Sequence, residues 1–204
     1  AYGQLGQSNL TNRSSPIQVG DLTNWSKVAA GGWVTTAIKT DGTLWAWGYN
    51  AFGQLGFSDT TNRSSPIQVG ASTDWSQVST GYYHTAAIKT DGTLWTWGLN
   101  SHGQLGTSNL VNRSSPAQAG TLSNWSQVDA GYYHSAAVNS NGQLYAWGSN
   151  SYGQLGQFGY AGTSNAVIPM QIGMNANTWS QVSGGREYIM AIESDGSLWG
   201  WGQN

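Results

Sequence analysis

Residues 75–106 read WSQVSTGYYHTAAIKTDGTLWTWGLNSHGQLG. WSQVS, from Trp75, alternates large and small residues, as a half-buried strand does. HTAAIK, from His84, is a strand of small residues suited to a crowded, buried position. Asp91-Gly92 is a tight-turn pair, the strongest short-range hairpin signal. TLWTWG follows, alternating Leu94, Trp95, Thr96 and Trp97. The loop after it is long and polar, and PAQAG from Pro116 then reads as a fourth strand. Proline suits a strand start or a sheet edge, where no ladder donor is missed. No stretch of the chain shows a helical period.

The same words recur. GQLG begins at Gly3, Gly53, Gly103 and Gly153, a step of 50 each time. WG falls at Trp47, Trp97, Trp147 and Trp201, so the last step is 54. The four extra residues lie within QFGYAGTSNAVIPMQIGMNANTWS, residues 157–180. The 204 residues therefore divide into units of about 1–50, 51–100, 101–150 and 151–204, a single repeat domain. Four-stranded units at a period of ~40–50 residues predict an all-β fold, a β-propeller of four blades packed face to face. A blade cannot bury its own faces, so its neighbours must. The Leu and Trp of the LWxWG words, and Trp25, Trp75, Trp125 and Trp179 at the first strands, are then the core between blades.

Composition narrows the function classes. Seven basic and nine acidic side chains give a net charge of −2. Phosphate contacts supply most nucleic-acid affinity and call for a basic face, so no nucleic-acid partner is expected. No apolar run is long enough for a membrane-spanning helix. Cysteine is absent, which removes thiol chemistry. Few charges among many Ser, Thr, Asn, Gly and Trp point to an extracellular or cell-surface protein.

The pieces GYYHT, TDGTLWTWG and NSHGQLG, in that order and at one spacing, resemble the repeat of the regulator-of-chromosome-condensation family, and the likeness covers all four units. The resemblance implies a propeller, usually of seven blades, so the four here either close alone or are part of a larger ring or of a head-to-tail assembly. The family includes exchange factors for a small GTPase, which insert a wedge-like hairpin, and a plant photoreceptor with Trp and Arg in the loop that reads GYYH here. Neither feature is reproduced. The plain, weakly charged loops look most like bacterial binding propellers.

One site varies between units. The turn after the first strand reads Gly31-Gly32-Trp33-Val34, Gly81-Tyr82-Tyr83-His84, Gly131-Tyr132-Tyr133-His134 and Gly185-Arg186-Glu187-Tyr188. Equivalent turns of a propeller share one face, and aromatic rings with an arginine are the usual anchors of binding surfaces. Trp33, Tyr82, Tyr132 and Arg186 are the expected contacts, with Tyr83, Tyr133 and Glu187 beside them. Packing within the blade is the plainer alternative. His84 and His134 share one repeat position and are expected to hydrogen-bond within their own blades rather than bind metal. His102 reads as a variable loop residue. Asp41, Asp91 and Asp195, with Asn141 in the third unit, are turn residues.

No nucleophile setting and no phosphate loop is present, so neither enzymatic activity nor a cofactor is expected. NRSSP, at Asn12, Asn62 and Asn112, carries N-x-S triplets, as does NWS at Asn24 and Asn124, which repetition alone explains. The expected function is non-catalytic binding of a protein partner. Self-assembly of copies and glycan binding on the exposed rings are the alternatives. The end WGQN followed by the start AYGQLG gives WGQNAYGQLG, which matches WGYNAFGQLG at 47–56. The two ends thus read as halves of one repeat, able to meet within one ring or between chains.

Overall fold

A computed structural model describes residues 2–157, 164–173 and 178–204. The four extra residues of the last unit fall in a stretch that is partly outside these. Among the described residues there is no helix, and so none long and apolar enough to cross a membrane. These described residues hold fifteen strands in four antiparallel sheets. The first blade is β1 (Trp25–Ala30), β2 (Val34–Lys39), β3 (Leu44–Gly48) and β4 (Arg63–Gln68), paired in that order. The second is β5 (Trp75–Thr80), β6 (His84–Lys89), β7 (Leu94–Gly98) and β8 (Arg113–Gln118). The third is β9 (Trp125–Ala130), β10 (His134–Asn139), β11 (Leu144–Gly148) and β12 (Ala166–Gln171). The fourth has three strands, β13 (Trp179–Gly184), β14 (Tyr188–Glu193) and β15 (Leu198–Gly202).

The first strands sit innermost. β5 packs on β1 and β2, β9 on β5 and β6, and β13 on β9 and β10. Successive residues of a strand point to opposite faces, and both faces of an inner blade are covered. Ile38, Leu44 and Ala46 of the first blade meet Trp75, Ala87 and Trp97 of the second. Ala86, Ile88 and Leu94 point the other way, toward Trp125, Ala137 and Trp147. Small residues suit the middle of a strand held between two blades, and Ala86 and Ala87 are both fully buried.

The Asp-Gly turns behave as expected. The Thr93 N–H and hydroxyl donate to Asp91 Oδ1 at 2.9 and 2.7 Å, and Trp95 Nε1 donates to Thr93 Oγ1 at 2.9 Å. These bonds, the hydroxyl's first, hold the Asp91 carboxyl below its ordinary pKa.

The fourth strands begin earlier than the sequence suggests. β8 starts at Arg113, three residues before Pro116. Its proline lies inside the strand, and the outermost position in the blade tolerates the missing N–H.

The GQLG words join consecutive blades. Gln54 O accepts Trp97 Nε1 at 2.9 Å and Thr85 Oγ1 at 2.8 Å, both from the next blade. Asn50 ties the loop to itself: the Leu55 N–H donates to its Oδ1 at 2.9 Å, and its own N–H donates to Asn62 Oδ1 at 2.8 Å. Gly53 runs so close to β8 that a Cβ would collide with Ser114 Cα, and its φ is +81°. Glycine is required there on both counts.

Candidate functional site

Four turns of one design make the variable face. The Gly81 N–H donates to His84 O at 2.9 Å, and Gly31, Gly131 and Gly185 repeat the bond to Val34, His134 and Tyr188. The first two turns also lean on the next blade: the Gly32 N–H donates to Gly81 O at 3.4 Å, and the Tyr82 N–H to Gly131 O at 3.3 Å. The rings follow that lean. Tyr82 lies over Gly32, filling the space a side chain there would take. Tyr82 thereby reaches Trp33, with ring centroids 4.9 Å apart. Tyr132 comes 4.4 Å from Tyr82, and the Arg186 guanidinium sits 5.1 Å from the Tyr132 ring. The expected contacts thus form one continuous row across four blades.

Tyr83, Tyr133 and Glu187 form the row beside it. Tyr83 and Tyr133 stack at 5.9 Å with planes 22° apart. Burial, then the hydrogen bond with Tyr132, pushes the Tyr83 phenol up to about 12. Burial raises Tyr133 too. Burial also raises the Glu187 carboxyl, opposed by Arg186 and by Gln154, whose Nε2 donates to Glu187 Oε2 at 2.8 Å. Arg186 is exposed and the rings of both rows are half-buried, so they are neither core nor free.

A third row is not evident from the turns alone. His102 stacks on Tyr133 at 4.6 Å with planes 27° apart, Phe52 meets Tyr83 at 5.3 Å, and Tyr2 meets Trp33 at 5.5 Å. Tyr49 adds to it, 4.6 Å from Tyr2. The signal was available: positions 2, 52, 102 and 152 are Tyr, Phe, His and Tyr, one ring per unit. Toward the axis, the turn glycines with Thr80, Tyr82, Tyr132 and Arg186 line an open recess of about 450 Å³.

The histidines lie beneath this face, and neither ring hydrogen-bonds within its own blade as expected. His84 Nε2 meets Ser135 Oγ of the next blade, not a group of its own, at 2.8 Å. The Ser135 hydroxyl donates to Gln104 O at 2.9 Å, so it accepts from His84, which fixes the Nε2–H tautomer. Ile189 stands where Ser135 does in the fourth blade, and no side-chain hydroxyl reaches His134. Burial pulls His84 down to about 3 and His134 to about 4, so both are neutral. Among the described residues no three His, Asp or Glu gather to hold a metal ion. The face offers flat apolar rings, phenol hydroxyls and one guanidinium, groups that hold a partner by contact area and hydrogen bonds.

A family model described as an RCC1-like domain matches residues 1–204. No curated relative matches the sequence. Among solved structures, human WBSCR16 superposes with a TM-score of 0.84 at 23% identity, over 100% of this chain and 55% of that one. Prp20p from Saccharomyces cerevisiae, studied with its binding to Gsp1p and histones, gives 0.84 at 20% identity, over 96% and 50%. The yeast protein bound to Kap60 gives 0.77 at 21%, over 88% and 44%. The chain thus spans about half the length of these three structures, which share its propeller fold.

Proposed function

The chain belongs to the RCC1-like domain family, and from that premise we propose that it is a non-catalytic, protein-binding propeller whose aromatic face is the contact surface. The observation that carries this is the unbroken row Trp33–Tyr82–Tyr132–Arg186. Large rings held by one another lose little entropy on binding, and an exposed arginine beside them supplies direction. Tyr83, Tyr133 and Glu187 support the row from beside it. The yeast relative, bound to Kap60 and studied with Gsp1p and histones, fits a propeller that works by holding proteins. The test is capture of a partner by the wild-type chain and by the Tyr82→Ala, Tyr132→Ala, Arg186→Ala variant. Loss of the partner from a variant with an unchanged far-UV spectrum supports the reading; equal capture refutes it.

A second reading, self-association, is favoured by the two outer blade faces. Val28 is 72% exposed where Val128 and Val182 are 6% and 5%. Leu198 is 64% exposed where Leu44, Leu94 and Leu144 are fully buried. These are the leading and trailing sides of the same inter-blade contact, so they complement each other head to tail. Light scattering that gives a strict monomer refutes this reading.

A further inference from the structure

The four turns share one backbone design, but the steps between them are not equal. A Cβ on Gly31 would lie 2.1 Å from Gly81 O, one on Gly81 would lie 2.3 Å from Gly131 O, and one on Gly131 would lie 2.7 Å from Gly185 O. The carbonyl of the next turn thus stands further off at each step. Hydrogen bonding follows the spacing. Gly32 and Tyr82 donate their N–H groups to the next turn's carbonyl. Tyr132 does not: among the described residues its N–H meets no acceptor and Gly185 O meets no donor. The Gly184 N–H beside them is drawn onto Asp129 Oδ2 at 2.6 Å. At this same step the side chain changes, from Trp33, Tyr82 and Tyr132 in the first three turns to Arg186 in the fourth.

Arg186 has no anion of its own. The ion pairs among the described residues are Arg63 with Asp59 and Lys89 with Asp74. The Arg186 guanidinium is steadied 5.1 Å from the Tyr132 ring, a contact that leaves its N–H donors unused. The acids nearby are already occupied. Glu187 Oε2 accepts Gln154 Nε2 at 2.8 Å, and Arg186 acts on that carboxyl only at a distance. Asp129 accepts the Ser79 hydroxyl and the Gly184 N–H, each at 2.6 Å, and the Ser183 hydroxyl at 3.3 Å. Tyr132 and Arg186 both line the recess of about 450 Å³, with Tyr82 and the turn glycines. The recess therefore presents a positive charge and unpaired donors, and no free charged acceptor.

We propose that this recess takes an acidic peptide: an Asp or Glu carboxylate of the partner seats on the Arg186 guanidinium and the Tyr132 N–H, and its flanking residues lie on the Tyr82 and Trp33 rings. This rests on the protein-binding reading and names the chemistry of the partner. A guanidinium matches a carboxylate in shape as well as in charge, and both are held more tightly by charge-assisted hydrogen bonds than neutral groups are. The turn glycines carry no side chains into the recess, so a peptide backbone can come close to its wall. A basic segment is repelled by Arg186 and finds both nearby acids taken. The groups involved face one another across the step from the third blade to the fourth, within the row of blades.

The experiment titrates three synthetic peptides into the isotope-labelled 204-residue chain and follows its amide NMR shifts. The peptides are Gly-Trp-Glu-Glu-Trp-Gly and its Gln-Gln and Lys-Lys counterparts. The glutamate peptide is expected to bind about tenfold tighter than the glutamine peptide, the scale of one hydrogen-bonded charge, and to shift the Tyr132 amide. The lysine peptide is expected to bind most weakly. Arg186→Gln is expected to abolish the difference between the glutamate and glutamine peptides. Arg186→Lys is expected to restore part of it, since a point charge replaces a planar fork. Arg186 is exposed, so both variants retain the fold. Equal binding of the glutamate and glutamine peptides overturns the carboxylate site and leaves the aromatic contact surface standing. A preference for the lysine peptide overturns it as well. A glutamate preference that survives Arg186→Gln overturns the assignment, because the carboxylate then sits elsewhere. Absence of binding by all three overturns the proposal, and capture of a partner by the wild-type chain then decides the protein-binding reading separately.

Discussion

The Asp129 carboxylate accepts the Ser79 hydroxyl across a blade boundary at 2.6 Å. Its other oxygen accepts the Gly184 N–H at 2.6 Å from the blade on the opposite side. One side chain on an innermost strand thus ties three blades together. Ala29, Ser79 and Ser183 hold the equivalent positions, so only the third unit carries the acid. Hydrogen bonds to a charged acceptor contribute about 1.5–3 kcal/mol. Asp129→Ala is expected to reduce the unfolding free energy by about 2–3 kcal/mol, and Asp129→Asn by less because one acceptor oxygen remains. Urea midpoints measure this; an unchanged midpoint for the alanine variant means the tie contributes nothing.

The legibility of this fold follows from where its information lies. HTAAIK and LWTWG were readable as strands because pleat alternation and inter-blade crowding both write on the same few letters. Asp91-Gly92 was readable because turn chemistry is local. The start of β8 at Arg113 was not, since Arg-Ser-Ser has little strand preference and is recruited by the free edge of β7. The contact rows were half readable. The turns showed Tyr82 and Tyr132, but Phe52 reaches Tyr83 only because GQLG carries it onto the next blade, a contact no local pattern announces. The Ser135 partner of His84 was hidden for the same reason: repeats reveal equivalence, not adjacency.

The buried histidines make stability depend on acid. Burial holds His84 at about 3 and His134 at about 4, against an ordinary value of 6.5. Below pH 6.5 the unfolded chain takes up protons at these sites and the folded chain does not. Stability therefore falls as pH drops, at about 1.4 kcal/mol per pH unit per histidine. The loss ends near 4 for His134 and near 3 for His84. Val34 already occupies the equivalent position in the first unit, 2% exposed. The double variant His84→Val, His134→Val is expected to show a flatter dependence between pH 6.5 and 4.5. Urea titrations at pH 7, 5.5 and 4.5 compare the slopes; equal slopes for variant and wild type would assign the acid sensitivity elsewhere.

Gly53 and Gly70 separate backbone strain from collision. Both have positive φ, +81° and +62°, but a Cβ at Gly70 meets nothing within 4 Å. Gly70→Ala is expected to cost about 1 kcal/mol, from the left-handed backbone alone. Gly53→Ala adds the clash with Ser114, and about 3 kcal/mol or more is expected. Thermal midpoints of the two variants test this. Equal losses would mean that β8 moves aside freely, and that the close approach of the GQLG loop does not hold the blade's edge.

The aromatic rows allow packing and contact to be told apart by magnitude. Tyr82 touches Trp33 at 4.9 Å, Tyr132 at 4.4 Å and Tyr83 at 4.7 Å, so its removal cuts the row between the first and third blades. Ring pairs contribute about 0.5–1.5 kcal/mol each, and less where water already reaches one side. Tyr82→Ala is expected to cost about 1–2 kcal/mol in stability and to change the near-UV circular dichroism, which reports the coupling of these rings. Arg186→Ala, losing one exposed cation–ring contact, is expected to cost under about 1 kcal/mol. Losses of that size fit side chains held in place for an external partner. A loss beyond about 4 kcal/mol at Tyr82 would instead mark a core ring, because that is the cost of emptying a packed interior; the contact surface would then narrow to Trp33, Tyr132 and Arg186.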